Sequence, residues 1–419
     1  PYKYQQLKGG AILSHAFDAN WSLRSAFRVA LNKADYDSRQ PRRLRADNRT
    51  LELSQDFADQ SLQTYYWQND VSTRWQTGAV KHAIVFGADF GSETFSSATL
   101  SGPVRTIDIY DPRYDFAPGA LALRGHSKTT NASAGLYAQD LISLREDLKL
   151  LVGGRFDYYD QKNDNRLTGN LQTAVDRKFT PRVGIVYQPA EAVSLYTSLS
   201  RSFQPQLQLT FANEPFRPET GAQYETGVRL TLFERKLAAT VAVYQITRAG
   251  VSTPDPLHPG FSIQIGEQRS RGFELDLTAR IKPNWNVITS YGYTEAVVTE
   301  DTNAQIAGHE LLGVPRQTAS LWTSYEFTRG PARGLGLGAG AFAVGRRFGD
   351  LEHTFTVPGY ARADAAVFYK IFRGEKLKYR LAFNLNNLLD KVYYEGVRGR
   401  YGIVPGAPLH GIGSVQVIF

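Results

Sequence analysis

The segment Leu377-Lys-Tyr-Arg-Leu-Ala-Phe-Asn-Leu385 decides the fold, because Leu377, Tyr379, Leu381, Phe383 and Leu385 alternate with Lys378, Arg380, Ala382 and Asn384. A period of two sends apolar side chains to one face and polar ones to the other, which defines a two-faced strand. After a stretch rich in Gly, Arg and Pro comes Gly413 to Phe419, with Val415, Val417 and Phe419 on one face. An unpaired edge is a liability, so this strand should pair with an earlier one. Closure into a barrel meets that demand; an edge strand of a soluble sandwich is the alternative this stretch leaves open.

Composition narrows the choice. The chain has 419 residues, of which 42% are hydrophobic and 12% aromatic, with 37 Gly, 23 Tyr, 23 Phe and no Cys. No apolar run approaches the roughly 18 residues of a helical membrane span. A β-barrel escapes that test, since lipid-facing and interior-facing residues alternate. Without Cys there is no disulfide scaffold or thiolate metal site. The net charge of +8 is spread along the chain and mixed with acidic residues, which argues against a nucleic-acid interface. Residue 1 is Pro and no signal peptide precedes it, so a processed or excised chain is expected.

Outward from the opening segment the same rhythm recurs. Trp21, Leu23, Phe27, Val29 and Leu31 alternate with Ser22, Arg24, Ala26, Arg28 and Ala30, and residues 8–17 precede them across a short link, which reads as a hairpin. Lys33 to Arg49, with Arg39, Arg42, Arg43, Arg45 and Arg49, is expected to be a long loop. Residues 96–127, carrying Tyr110, Tyr114 and Phe116, are expected to be the longest irregular stretch. Further strands are expected ending near Trp75 and at 82–95, 128–144, 148–160, 176–188, 192–204, 218–234, 236–249, 263–281, 285–298, 314–328, 334–347 and 358–371. Short links such as Arg145 to Asp147 and Lys282 to Asn284 alternate with long ones. In an up-and-down meander this puts short turns on one rim and long loops on the other, as in outer-membrane barrels.

Residues 272–281 make the faces explicit: Phe273, Leu275, Leu277, Ala279 and Ile281 are expected toward lipid, and Glu274, Asp276, Thr278 and Arg280 toward the interior. A midplane Lys or Arg facing lipid costs roughly 2 to 4 kcal/mol, so the charged face must be wet or covered by polar protein. Arg24, Arg28, Glu225, Arg229, Arg362, Asp364, Lys378 and Arg380 are expected on that same face. The expected fold is therefore all-β, a transmembrane antiparallel up-and-down β-barrel with about seventeen strands in this sequence. A closed antiparallel meander needs an even number, so the odd count implies that the first and last strands here are not neighbours.

The runs Arg217-Pro-Glu-Thr-Gly-Ala-Gln-Tyr-Glu-Thr-Gly-Val-Arg229, Gly266-Glu-Gln-Arg-Ser-Arg-Gly-Phe-Glu-Leu275, Tyr291-Gly-Tyr-Thr-Glu295, Gly313-Val-Pro-Arg-Gln-Thr-Ala-Ser-Leu-Trp322 and Asn384-Leu-Asn-Asn-Leu-Leu-Asp-Lys-Val-Tyr-Tyr394 resemble the barrel of TonB-dependent siderophore receptors, nearest to the ferrichrome or hydroxamate type. The resemblance covers essentially the whole chain, residues 1–419. It implies a 22-stranded family in the outer membrane of a Gram-negative bacterium, an N-terminal plug, and a TonB box engaging the TonB-ExbB-ExbD complex. Relative to that pattern the plug, the TonB box and roughly the first five strands are missing. The terminal Phe419 matches the aromatic end that such barrels present to the assembly machinery.

What the resemblance implies for ligand binding falls on the outer loops, where aromatic rings can bury a ferric siderophore among a few polar anchors. The candidates are Tyr110, Tyr114, Phe116, Phe211, Phe216 and Tyr401, with interface-belt or loop packing as the alternative role of each. Arg398 and Arg400, with the Arg39 to Arg49 cluster, could attract an anionic ferric complex or the phosphates of outer-membrane lipopolysaccharide. No cofactor is expected. The His residues at 15, 82, 126, 258, 309, 353 and 410 form no His-Glu-x-x-His pair, and no Gly-x-Ser-x-Gly elbow occurs. Gly336-Leu-Gly-Ala-Gly-Ala341 formally matches a dinucleotide fingerprint but continues in alternation and reads as a strand with small residues. The function expected is import, not catalysis, with a passive porin or a receptor for cobalamin, haem or another nutrient as alternatives.

Overall fold

The computed structural model describes residues 2–114, 119–212, 214–373 and 376–417. Phe116 and Phe419 therefore lie outside the described residues. The strands are β1 (Tyr2–Ala16), β2 (Trp21–Leu44), β3 (Thr50–Thr77), β4 (Val80–Ser101), β5 (Arg105–Asp108), β6 (Ala122–Ser143), β7 (Leu148–Asn165), β8 (Asn170–Ala190), β9 (Val193–Gln204), β10 (Glu219–Leu232) and β11 (Leu237–Pro254). They continue with β12 (Ser262–Lys282), β13 (Trp285–Glu300), β14 (Gln317–Glu326), β15 (Leu335–Val344), β16 (Arg347–Phe348), β17 (Thr356–Val357), β18 (Tyr360–Arg373), β19 (Lys376–Asn386), β20 (Tyr394–Val397), β21 (Ile403–Pro405) and β22 (His410–Val417). Seventeen of them have eight residues or more and coincide with the strands read from alternation; the other five have two to four. No α-helix occurs among the described residues.

The chain divides into two units: Pro1–Gly184 with Ser200–Gly221 and Ala249–Ile265, and Ile185–Leu199 with Ala222–Arg248 and Gly266–Phe419. In the first, β1, β2, β3, β4, β6 and β7 form an antiparallel meander, and β5 adds to β3. The register places Arg24, Asp70, Gly87, Tyr137 and Arg155 in one row across five strands, and Gln68, Asp89, Gly135 and Asp157 in the row beside it. Charges on this face are paired. Arg24 meets Asp70 at 3.4 Å, Tyr137 donates to Asp70, and Arg155 donates through both terminal nitrogens to Asp89 and through Nε to Asp157 at 2.7 Å. Gly135 is small for a reason, because a Cβ there would overlap the Arg155 guanidinium. The opposite face carries Phe27, Trp67, Phe90, Leu136 and Phe156, all exposed. An exposed apolar face of this extent is what lipid solvates.

The second unit holds the meander β12, β13, β14, β15, β18, β19 and β22. Its register puts Phe273, Leu275, Tyr291, Leu321, Leu337, Val367, Phe383 and Val415 on one face. Glu274, Asp276, Ser290, Ser320, Asp364, Lys370 and Arg380 fall on the other, as the alternation in 272–281 and 377–385 requires. Here too the polar face pairs its charges: Lys370 meets Glu326 at 2.6 Å and Arg362 meets Asp364 at 3.0 Å. The glycine-rich run 336–341 is a strand, where Gly338 and Gly340 leave room for the Trp322 ring.

Tight links at 78–79, 144–147, 191–192 and 283–284 are followed by links at 102–121, 166–169, 205–218 and 301–316, so the alternation of short and long is not strict: 166–169 is as short as 144–147, and 327–334 is longer than either. Gly78, at φ 61, supplies the left-handed residue of a two-residue turn. Two expectations are corrected. Lys33 to Leu44 is not loop but the outer half of β2, laddered to β3 from Lys33↔Ser61 to Leu44↔Leu51, so the link is only residues 45–49. The stretch 96–127 is likewise shortened, because β4 runs to Ser101, β5 lies within it and β6 starts at Ala122. Beyond the lipid slab both faces of a strand are polar, so alternation fades, yet the backbone still satisfies its N–H and C=O groups by continuing the ladder.

Candidate functional site

The long links carry the candidate residues. In the first unit, Tyr110 and Tyr114 stand in the 102–121 link at 76% and 69% exposure, so their rings are open to a ligand. Asp108 accepts the Tyr110 N–H at 2.9 Å and meets Arg49 at 2.6 Å, so the start of this link is tied to the tip of the β2–β3 hairpin. Those contacts hold the Asp108 carboxyl below its usual range, the Tyr110 N–H contributing most. Phe211, in the 205–218 link, stacks on His258 at 3.8 Å and meets Phe261 edge-on at 5.1 Å. His258 donates through Nδ1 to Asp255 at 2.9 Å, and with the Leu257 N–H this lowers the Asp255 pKa. Phe216 is 4% exposed and its N–H bonds to the Gln208 carbonyl at 2.8 Å, which fits loop packing, the alternative role given for it.

In the second unit, Arg398, Arg400 and Tyr401 form the exposed tip of the β20–β21 hairpin, closed by Arg398 N–H to Gly402 O at 3.0 Å. The hairpin is braced by Arg347, 4% exposed, which donates to the carbonyls of Glu395 and Tyr394. Asn387 locks the start of the same link, its Nδ2 donating to Lys391 O and Ala407 O. A second brace joins residues that are far apart in the chain. Phe348 stacks on His353 at 3.5 Å and His353 on His309 at 4.3 Å, joining the 301–316 and 345–359 links. His309 donates to Leu351 O at 2.7 Å and His353 to Glu310 O at 3.1 Å, which fixes both rings. These histidines are 44 positions apart, and only the order of the intervening strands reveals that they meet. Among the described residues no cluster of His, Asp and Glu is arranged to hold a metal ion.

The geometry is that of antiparallel two-faced strands carrying aromatic, arginine-bearing links on one set of ends. The family model described as TonB dependent receptor-like, beta-barrel, matches residues 1–388. The chain belongs to that family. It is thus an outer-membrane β-barrel, and its strands cross the bilayer where no helix could. It is 31% identical over 409 residues to the metal-pseudopaline receptor CntO of Pseudomonas aeruginosa, covering 95% of this chain and 57% of that protein. It is 30% identical over 431 residues to the ferrichrome outer membrane transporter/phage receptor of Escherichia coli, covering 97% and 57%. Among solved structures, the siderophore receptor PiuA of Acinetobacter baumannii superposes with a TM-score of 0.87 at 22% identity, over 99% of this chain and 64% of that one. This receptor barrel therefore spans a little under three fifths of the length of those two relatives.

Proposed function

We propose that this chain serves as the barrel of a receptor that imports ferric siderophore, energised through TonB-ExbB-ExbD, with hydroxamate chelates as the ligand class. The observation that carries the reading is family membership combined with exposed rings at Tyr110, Tyr114, Phe211 and Tyr401 on the long links. A scarce ligand must be held at roughly nanomolar level, about −12 kcal/mol, which buried ring surface with a few polar anchors can supply. Release from so deep a well needs an external energy source, which is the reason for a coupled receptor over a passive porin. The relatives are named as receptors and a transporter, which supports import over catalysis. Because one relative is a metal-pseudopaline receptor, chelates of metals other than iron are the second reading.

The test is titration of the full-length parent in detergent with a panel of ferric siderophores, followed by tryptophan fluorescence. Saturable quenching by a hydroxamate chelate at about nanomolar concentration supports the reading. Silence toward every ferric chelate, with a response to another metal chelate or to cobalamin, overturns it.

A further inference from the structure

We propose that the cavity between the 301–316 and 345–359 links is an anion subsite that takes one carboxylate arm of a metal chelate. The inference rests on the receptor reading, extended from hydroxamates to a chelate that carries a carboxylate, but the subsite itself is argued from local geometry. The cavity measures about 210 Å³ and is lined by Glu310, Arg316, Gln317, Gly345, Arg346 and Phe348. Whole small ligands occupy roughly 300 to 1,000 Å³, so this space fits one arm and not the entire chelate.

Its walls are preformed. The Phe348–His353–His309 stack clamps the two links, Gly313 N–H donates to Phe348 O at 2.9 Å, and Gly345 N–H donates to Gln317 O at 2.8 Å. A ligand therefore does not bear the entropic cost of ordering the loops. The charges decide the ligand. Glu310 meets Arg316 at 2.7 Å and offsets that guanidinium. Arg346 is exposed, lies 5.2 Å from the Phe348 ring centre, and meets no carboxylate among the described residues. Glu295 also acts on Arg316 but is itself paired with Arg271 at 3.2 Å, so three guanidinium groups against two carboxylates leave a single excess positive charge, which matches a monoanionic carboxylate arm and underbalances a phosphate dianion. The Arg346 fork can donate two parallel hydrogen bonds to a carboxylate, and the Gln317 amide offers further donors.

The experiment is residue-resolved modification of arginine by phenylglyoxal, read by mass spectrometry on the full-length parent in detergent. Citrate should slow modification of Arg346 saturably, by about fivefold, while glycerol does not. Arg316→Gln, which removes the excess charge, should abolish that protection. Absence of protection by citrate overturns the proposal. Equal protection by inorganic phosphate at the same concentration also overturns it and marks an adventitious ion only. In the full-length parent, Arg346→Gln should weaken binding of ferric citrate by about tenfold and leave neutral ferrichrome unchanged. If the parent binds no ferric chelate of the panel, the receptor reading fails, while the protection result still judges the subsite.

Discussion

Arg347 and Glu395 are 48 positions apart, yet the guanidinium of the first donates to the backbone carbonyl of the second at 2.7 Å, and its other terminal nitrogen reaches Tyr394 O at 2.6 Å. A buried cation thus fastens the base of the hairpin that presents Arg398, Arg400 and Tyr401. Replacing it leaves two carbonyls without their charged donor, at about 3 kcal/mol of local stability. We expect Arg347→Met to raise hydrogen exchange at 394–397 and leave the strands of β18 and β19 protected. Unaltered exchange at those amides would show that the brace does not hold the hairpin.

The Asp89–Arg155 pair makes a prediction about the polar face. Asp89 is 3% exposed, and Gly135 is the neighbour whose missing Cβ lets the guanidinium reach it. Gly135→Ala should push Arg155 out of the bidentate geometry and strand the Asp89 charge. Because Arg155 is about one third exposed, we discount the usual cost of breaking a buried pair to about 2 kcal/mol. The urea midpoint should fall, and Asp89→Asn in the same background should recover part of the loss. A midpoint that stays put in Gly135→Ala would mean that the pair contributes nothing to stability.

The legible part of the molecule is the part that meets lipid. Where Phe273, Leu275 and Leu277 must be apolar and Glu274 and Asp276 cannot be, period two is enforced and the strand reads directly from the chain. Where β2 leaves the membrane, Lys33 to Leu44 is polar on both faces, no physics enforces alternation, and the ladder to β3 is invisible in the sequence. The site behaves similarly. Rings such as Tyr110 stand out by type, but Phe211 on His258 and His309 on His353 depend on which links lie side by side. That adjacency is a property of strand order and link direction, and His258, His309 and His353 read in sequence as scattered residues.

Exposure of the rings in the 102–121 link permits a test that separates binding from folding. Tyr110 and Tyr114 are open to solvent, so their truncation removes little buried surface. Replacing Tyr110, Tyr114 and Phe116 together by Ala should leave the folded form and its heat-modified gel shift intact. In the full-length parent, siderophore affinity should fall by about 10- to 100-fold, the loss of one or two desolvated ring contacts. Full affinity in the folded triple variant would remove this link from the binding site.

The tip of the β2–β3 hairpin carries a pH dependence whose sign can be worked out. Asp47 accepts the Thr50 hydroxyl at 2.6 Å, the Thr50 N–H at 2.9 Å and the Arg49 N–H at 3.0 Å. These bonds, that of the Thr50 hydroxyl foremost, lower its pKa from 3.8 to about 2. A carboxyl depressed in the folded turn stabilises it at every pH above 3.8, and the contribution is lost as pH falls from 3.8 through about 2. Leu44 and Leu51 flank the turn and are sites that pepsin, an acid protease, can cut. Cleavage there should remain slow at pH 4 and rise as pH approaches 2, whereas Asp47→Asn should be cut readily across the whole range. Equal resistance of the two proteins at pH 4 would show that the hairpin tip is held by its backbone ladder and not by the Asp47 carboxylate.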